Sequence, residues 1–214
     1  MTSVEKTEYM AMKPRDALTH DLKNIKKIYS DANAYPEIKP KIKEFKRAYQ
    51  NFQSCSKNKK RVQLEMNKEI FMNLMNNRML RDNDEIEGYE RNLETLAGSF
   101  SEEDIIELCL TFDDKTQSAE IMYSAIHLLE TLSSKLAFEK TIIGVVRMFE
   151  TSPDWASIIT YRCLNDEFSV QMIKDVYRDL DEKTCLEYKR ILQKIKNEDP
   201  EKFGNVIDDI VGSI

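Results

Sequence analysis

Apolar residues recur at helical spacing along most of the chain. In the clearest run they fall at offsets 0, 1, 4, 7, 8 and 11, namely Ile121, Met122, Ala125, Leu128, Leu129 and Leu132. This spacing places apolar side chains on one face of a helix. Similar stripes, separated by short polar breaks, follow toward the C-terminal end. The pattern predicts an all-α fold without a sheet, in which antiparallel helix pairs form an irregular bundle or a solenoid-like array.

Capping residues mark the ends of these helices. Serine and aspartate accept hydrogen bonds from the first free backbone N–H groups of a helix, and proline is tolerated in its first turn. Helices are therefore expected to begin at Ser118, Ser152-Pro153, Asp181 and Asp199-Pro200. Gly98 is expected to end an earlier helix.

The N-terminal part has two further stripes, over residues 18–29 and 38–52, which predict a helical hairpin. The second keeps heptad spacing and implies a close helical neighbour. A third helix, rich in methionine, is expected over residues 59–80. Its apolar face is wide, which indicates contacts on more than one side.

Composition supports this helical interpretation. The 214 residues include only 5 Gly and 5 Pro, so a fold built from many tight turns is not expected. No apolar stretch is long enough to span a membrane, and residues 1–8 lack the apolar core of a signal peptide. We therefore expect a cytoplasmic protein without a membrane partner.

Charge divides the chain into two parts. Residues 1–81 contain 18 Lys and Arg against 9 Asp and Glu, whereas residues 82–214 contain 14 against 29, so the net charges are +9 and −15. We predict a basic helical N-terminal region, 1–81, and an acidic all-helical domain, 82–214.

Basic residues are dense between positions 39 and 61, at Lys39, Lys41, Lys43, Lys46, Arg47, Lys57, Lys59, Lys60 and Arg61. A solvated helical face is the interpretation we favour. Nucleic acid, an acidic protein surface or the acidic half of the same chain are the alternatives.

Signatures of common enzyme classes are not found: the sequence has no Gly-rich phosphate loop, G-x-S-x-G, H-E-x-x-H or C-x-x-C motif. The four cysteines, at positions 55, 109, 163 and 185, suggest neither a zinc site nor disulfides. We therefore predict no catalytic residues, no metal and no cofactor. A metal or proton-transfer site at His127 with Glu120 and Glu130 is a weaker alternative, because an acidic helix often brings Glu near His by chance.

Asp113 and Asp114 form an acidic pair between two predicted helices. They could bind a cation, but an Asp pair in such a loop more often caps a helix and holds an arginine. Arg162 lies on or beside an apolar stripe, where a guanidinium would need a buried acid. We therefore hypothesise that Arg162 pairs with Asp113 or Asp114.

Trp155 is the only tryptophan, and its place in the first turn of an amphipathic helix predicts a core or half-core position. Asn165 is expected to end that helix in the left-handed conformation that Asn tolerates.

Several short motifs together carry a resemblance to a known family: Ile106-Glu107-Leu108-Cys109, Phe112-Asp113-Asp114-Lys115-Thr116, Ile126-His127-Leu128-Leu129-Glu130, Trp155, Arg162-Cys163-Leu164-Asn165 and Asp199-Pro200-Glu201-Lys202-Phe203. In order and spacing, residues 85–214 resemble the all-helical bacterial immunity proteins of polymorphic toxin systems, in particular immunity protein family 30. The resemblance does not cover the basic N-terminal part.

The resemblance implies a non-enzymatic protein that neutralises a cognate toxin by stoichiometric occlusion. It assigns the family-motif positions as candidate binding residues: Asp113, Asp114, Trp155, Arg162 and Asn165. These positions are expected to determine the fold more than to contact the toxin, since specificity in such proteins usually resides in variable surface residues.

Two other functions are compatible with the residues. A helical adaptor could use the heptad stripe of residues 38–52 and the Met-rich helix to bind a partner helix. An uncommon hydrolase could use Asp113, Asp114, Glu120 and His127 with a metal, provided that they converge in one pocket.

Overall fold

The structure, a computed structural model, describes residues 47, 62–63 and 65–212. Backbone contacts divide the chain into two units, Met1–Val62 and Gln63–Ile214. We number the helices from the second unit: α1 (residues 65–77), α2 (Asn83–Ala97), α3 (Ile105–Cys109), α4 (Ala119–Glu130), α5 (Lys135–Met148), α6 (Pro153–Leu164), α7 (Glu167–Tyr177), α8 (Glu182–Glu198) and α9 (Pro200–Val211). The predicted hairpin over 18–52 and the basic cluster over 39–61 lie outside the described residues, apart from Arg47.

The all-α prediction is confirmed, and the described residues contain no strand. The main helix contacts join helices that are one or two places apart in chain order, and α5 with α8 is the exception. Such a pattern of contacts between helices that are close in sequence is typical of solenoid-like helical arrays, where each unit packs on its neighbours. Helix α5 contacts α3, α6, α7 and α8, so it is the central element of the core.

Helices begin at all four positions that the sequence predicts, but only the two aspartates among them cap a helix with their side chains. The Asp181 side chain accepts from the backbone N–H of Thr184 at the start of α8, and Asp199 accepts from that of Lys202 at the start of α9. Ser118 and Ser152 also precede helices, but their hydroxyls do not cap them. They donate instead to distant carbonyl oxygens, so these two serines join separate parts of the chain.

Helix α1 packs against the loops that precede α3 and α4. The Asn67 amide donates to the Asp104 carboxylate at 2.9 Å, and both side chains are buried. At the C-terminal end of α1, the carbonyl oxygen of Met79 accepts from the backbone N–H of Gln117 at 2.9 Å. The Met-rich helix predicted over 59–80 is thus helical over 65–77 and is tied to residues 104–118. The division of the chain into regions 1–81 and 82–214 remains a prediction.

Leu80 ends this connection in an unusual conformation. Its φ is 49°, in the left-handed region that costs a residue with a Cβ about 1–2 kcal/mol, and its side chain is 1% exposed. Its carbonyl oxygen accepts from the Ser118 hydroxyl at 3.3 Å. Burial of the leucine side chain therefore compensates for backbone strain between α1 and α2.

Within residues 62–63 and 65–212, no helix has both the length and the apolar character that a bilayer span requires.

Helices α3 and α5 approach closely at Gly144. A Cβ placed on Gly144 would lie 2.6 Å from Cys109 Sγ and 2.8 Å from Cys109 Cβ. Both distances are below van der Waals contact, so only glycine fits between the two helices here. Gly204 of α9 is also helical and buried, but a Cβ there would have no neighbour within 4 Å.

These two glycines give a matched pair of substitutions. Gly144→Ala should lower the free energy of unfolding by about 1–3 kcal/mol, because the added methyl forces α3 and α5 apart. Gly204→Ala should raise it by about 0.5–1 kcal/mol, because alanine favours helix and meets no obstacle. Urea unfolding followed by Trp155 fluorescence measures both. Equal effects of the two substitutions would contradict the close approach of α3 and α5.

Candidate functional site

The loop formed by Phe112, Asp113 and Asp114, here called the 112–114 loop, caps helix α6. The Ser152 hydroxyl precedes this helix but donates to the Phe112 carbonyl oxygen at 2.8 Å. The Asp114 carboxylate takes its place and accepts from the backbone N–H groups of Asp154 at 3.0 Å and Trp155 at 3.2 Å. A carboxylate some 40 positions away in sequence thus satisfies the free N–H groups of the first turn.

Trp155 lies against the same loop. Its indole Nε1 donates to the Asp113 carbonyl oxygen at 3.2 Å, and its ring centroid is 5.3 Å from that of Phe112. The Tyr123 ring packs edge-on against the indole, and the centroids of these two rings are 5.4 Å apart. Trp155 is 4% exposed, so its predicted core position is confirmed.

The Asp113 side chain points to a different helix. Its Oδ2 accepts from Arg78 Nε at 3.0 Å, and Arg78 also donates to the Met75 carbonyl oxygen at 2.7 Å. The expectation that the acidic pair caps a helix and holds an arginine is therefore met, but the arginine is Arg78 at the end of α1. Through this ion pair the 112–114 loop connects α1 to α6.

The hypothesis that Arg162 pairs with Asp113 or Asp114 is wrong. Arg162 Nε and Nη2 donate to the two carboxylate oxygens of Glu130, at 2.5 and 2.8 Å. The Arg162 side chain is 38% exposed, so it does not need a buried acid either. Because Arg162 comes two turns after the start of α6, it faces the end of α4 and not the 112–114 loop.

Asn165 also differs from expectation. It follows the last residue of α6 as predicted, but its φ of −82° and ψ of −6° are right-handed. Its side-chain amide donates to the Tyr161 carbonyl oxygen at 2.9 Å, and its backbone N–H bonds to the same oxygen. These two bonds satisfy the helix end without a left-handed residue.

The structure therefore separates the five candidate residues into two groups. Asp113, Asp114 and Trp155 meet at the N-terminal end of α6, whereas Arg162 and Asn165 lie toward its C-terminal end. Sequence reasoning missed the two partners, Arg78 and Glu130. Both are charged residues at the ends of apolar helices, which is a weak signal for a long-range ion pair. The binding role of these five residues remains a prediction.

Three of the four residues of the hydrolase alternative are engaged in structural contacts. Asp113 and Asp114 bind Arg78 and the start of α6, and His127 Nδ1 lies 3.2 Å from Glu130 Oε2. Over residues 62–63 and 65–212, no group of three His, Cys, Asp or Glu side chains could hold a metal ion. The structure therefore does not bring Asp113, Asp114, Glu120 and His127 into one site.

The thiols of Cys109 and Cys163 are not activated for nucleophilic attack. Burial raises the pKa of each thiol to about 12, so both stay protonated at neutral pH. Cys109 packs against Gly144 at the contact between α3 and α5. Cys109 is fully buried and acts as a small hydrophobic residue of the core.

A groove of about 290 Å³ lies between α4, α5, α6 and α7, and we call it the α4–α7 groove. Ile126, Leu129, Phe138 and Ile159 form its apolar wall. Its rim contains the Glu130–Arg162 ion pair, Asp166 and Phe168. Charged groups therefore lie beside an apolar interior.

Residues 76–173 match the family model of Immunity protein 30. The family resemblance seen in the sequence motifs is thereby confirmed over residues 85–173. The matched range includes the 112–114 loop, all of α6 and the α4–α7 groove. It ends within α7, so the Asp199–Phe203 motif, α8 and α9 lie outside it. No curated protein and no solved structure matches the chain.

The capping role of Asp114 can be tested by substitution. Asp114→Ala should lower the free energy of unfolding by about 1–2 kcal/mol, because two N–H groups of α6 lose their acceptor. Asp154→Ala removes an acid from the same helix end without removing the cap, and should cost less than about 0.5 kcal/mol. Denaturant unfolding measures both variants. A loss as large for Asp154→Ala would show that charge at the helix end matters and the cap does not.

The Glu130–Arg162 pair should make stability depend on pH. The hydrogen bond from Arg162 lowers the pKa of the Glu130 carboxyl. A carboxyl with a depressed folded-state pKa stabilises the fold above its unfolded-state pKa of about 4.3, and this contribution is lost as the pH falls through the folded-state value. Because the pair is half exposed, its contribution at neutral pH should not exceed about 1 kcal/mol.

Glu130→Gln removes this titration. The difference in unfolding free energy between the wild type and this variant should stay constant above about pH 5 and shrink as the pH falls below about 4. Parallel stability curves for the wild type and Glu130→Gln would contradict the pairing.

Proposed function

We propose that this protein is an immunity protein that binds a cognate bacterial toxin and neutralises it by stoichiometric occlusion. The match of residues 76–173 to Immunity protein 30 is the observation that carries this proposal. Within the matched range, α3, α6 and α7 pack against α5, and this packed core provides a scaffold for a protein interface.

The charge of the chain supports a protein partner of opposite sign. Residues 82–214 carry a net charge of −15, which attracts a basic surface over a range set by ionic strength. Toxins that act on nucleic acids need basic surfaces to bind their substrate. A basic toxin covered by this acidic domain would lose access to such a substrate, and no chemical step on the toxin is required.

A non-enzymatic mechanism agrees with the chemistry of the described residues. The acidic pair is occupied by Arg78 and the start of α6, and the buried thiols are protonated. Inhibition by binding requires a stable surface and not a reactive group. The proposal therefore needs one protein molecule for each toxin molecule.

Co-expression tests this function. The full chain is expressed together with the C-terminal toxin domain encoded beside its gene, in a host that the toxin domain alone kills. We expect growth to be restored and the two proteins to elute as one complex from a size-exclusion column. Toxicity that persists with both proteins present would overturn the proposal.

Salt dependence tests the electrostatic part separately. Between about 0.05 M and about 0.5 M salt, the association rate constant should fall at least about tenfold while the dissociation rate constant changes little. Surface plasmon resonance with immobilised toxin domain measures both. An unrelated basic protein of similar charge serves as the control and should not form a lasting complex. A salt-independent association rate would contradict electrostatic steering.

A helical adaptor is the second candidate, and exposed methionines on α1 favour it. Met66 is 48% exposed and Met72 is 66% exposed, and flexible methionine side chains are common on surfaces that bind amphipathic helices. An adaptor would form stable complexes with a partner helix, and the Met72→Glu substitution would weaken them. It would not restore growth in the presence of the toxin. The co-expression experiment therefore distinguishes the two functions.

A further inference from the structure

The α4–α7 groove combines three properties that suit an anchor site for another protein. It is open to the surface, its wall is apolar, and its volume of about 290 Å³ is near the lower end of the range of about 300–1,000 Å³ that small-molecule pockets occupy. A space of this size suits one or two side chains better than a large ligand. Interface energy is concentrated where such anchors enter pockets.

Apolar surface continues outside the groove at Phe168. This side chain is 55% exposed, and its ring centroid lies 6.2 Å from that of Phe138 in the wall. An exposed phenylalanine beside an apolar groove extends the surface that a partner can cover. Phe168 is the second residue of α7, whose N-terminal cap is Asp166, so the helix holds it in place.

Acidic residues dominate the charge of the rim. The Arg162 guanidinium is neutralised by Glu130, whereas Asp166 and the adjacent Glu167 form no ion pair with the described residues. The hydrogen bond from Ser169 lowers the pKa of the Asp166 carboxyl, so it is ionised at neutral pH. The rim is therefore negative next to an apolar opening.

We propose that the toxin is anchored in the α4–α7 groove by an aliphatic or aromatic side chain flanked by lysine or arginine. This inference rests on the proposed function and names the surface and the partner chemistry that serve it. The apolar side chain fills the groove, and the basic neighbour faces Asp166 and Glu167. Nucleic acid is a poor occupant, because its phosphates would meet the same carboxylates.

Two pairs of matched variants of the full chain test the anchor. Phe168→Ala removes apolar surface beside the groove, and Leu186→Ala removes a similar amount on α8, where Leu186 is 53% exposed. Glu167→Lys reverses the charge next to Asp166 of the rim, and Glu182→Lys reverses one at the corresponding first-turn position of α8. All four positions are exposed, so the fold should be retained, and thermal unfolding checks this.

Affinity for the toxin domain encoded beside the gene is the readout. Phe168→Ala and Glu167→Lys should each weaken binding at least about tenfold, while Leu186→Ala and Glu182→Lys should change it less than about twofold. Ser133→Trp, which places a large side chain at the exposed edge of the groove, should also weaken binding at least about tenfold.

The outcomes separate this inference from the proposed function. If the wild type binds the toxin domain and both α7 variants and Ser133→Trp bind equally well, the anchor site is wrong and the immunity function stands. If the wild type does not bind the toxin domain, both fail together. Binding of a mixed-sequence single-stranded oligonucleotide that Phe168→Ala abolishes would also overturn the anchor, since the groove would then serve nucleic acid.

Discussion

Two backbone N–H groups at the start of α6 depend on a carboxylate from another part of the chain. Ser152, which precedes the helix, uses its hydroxyl to hold the Phe112 carbonyl oxygen, and Asp114 accepts from the helix in its place. This exchange joins the 112–114 loop to α6 from both sides. Because Asp113 of the same loop also binds Arg78, helices α1 and α6 are positioned by one short acidic segment.

The position of α6 in turn determines the candidate binding surface. Trp155 in its first turn is packed against the 112–114 loop, while Ile159 and Arg162, one and two turns later, reach the α4–α7 groove. Contacts of the 112–114 loop at one end of α6 thus support the groove near its other end.

Helical periodicity and capping residues were sufficient to predict the fold class and most helix starts, because both signals act within a few residues. Long-range pairing was not predictable in the same way. The predicted partner of Arg162 was wrong because the position of α4 relative to α6 depends on tertiary packing. The spacing of residues within one helix carries no information about that packing. Asn165 was expected to be left-handed, but a side-chain bond to Tyr161 satisfies the same helix end. The α4–α7 groove has no signal in the sequence, since four helices form it together.

Titration of toxin activity tests the central claim most directly. The toxin domain at a fixed concentration well above the dissociation constant is mixed with increasing amounts of the full chain, and its residual activity is measured after equilibration. Occlusion predicts a linear fall that reaches zero at one equivalent, together with the mass of a one-to-one complex by light scattering. Loss of activity at far less than one equivalent would indicate catalysis. Full activity in the saturated complex would show that binding does not neutralise the toxin.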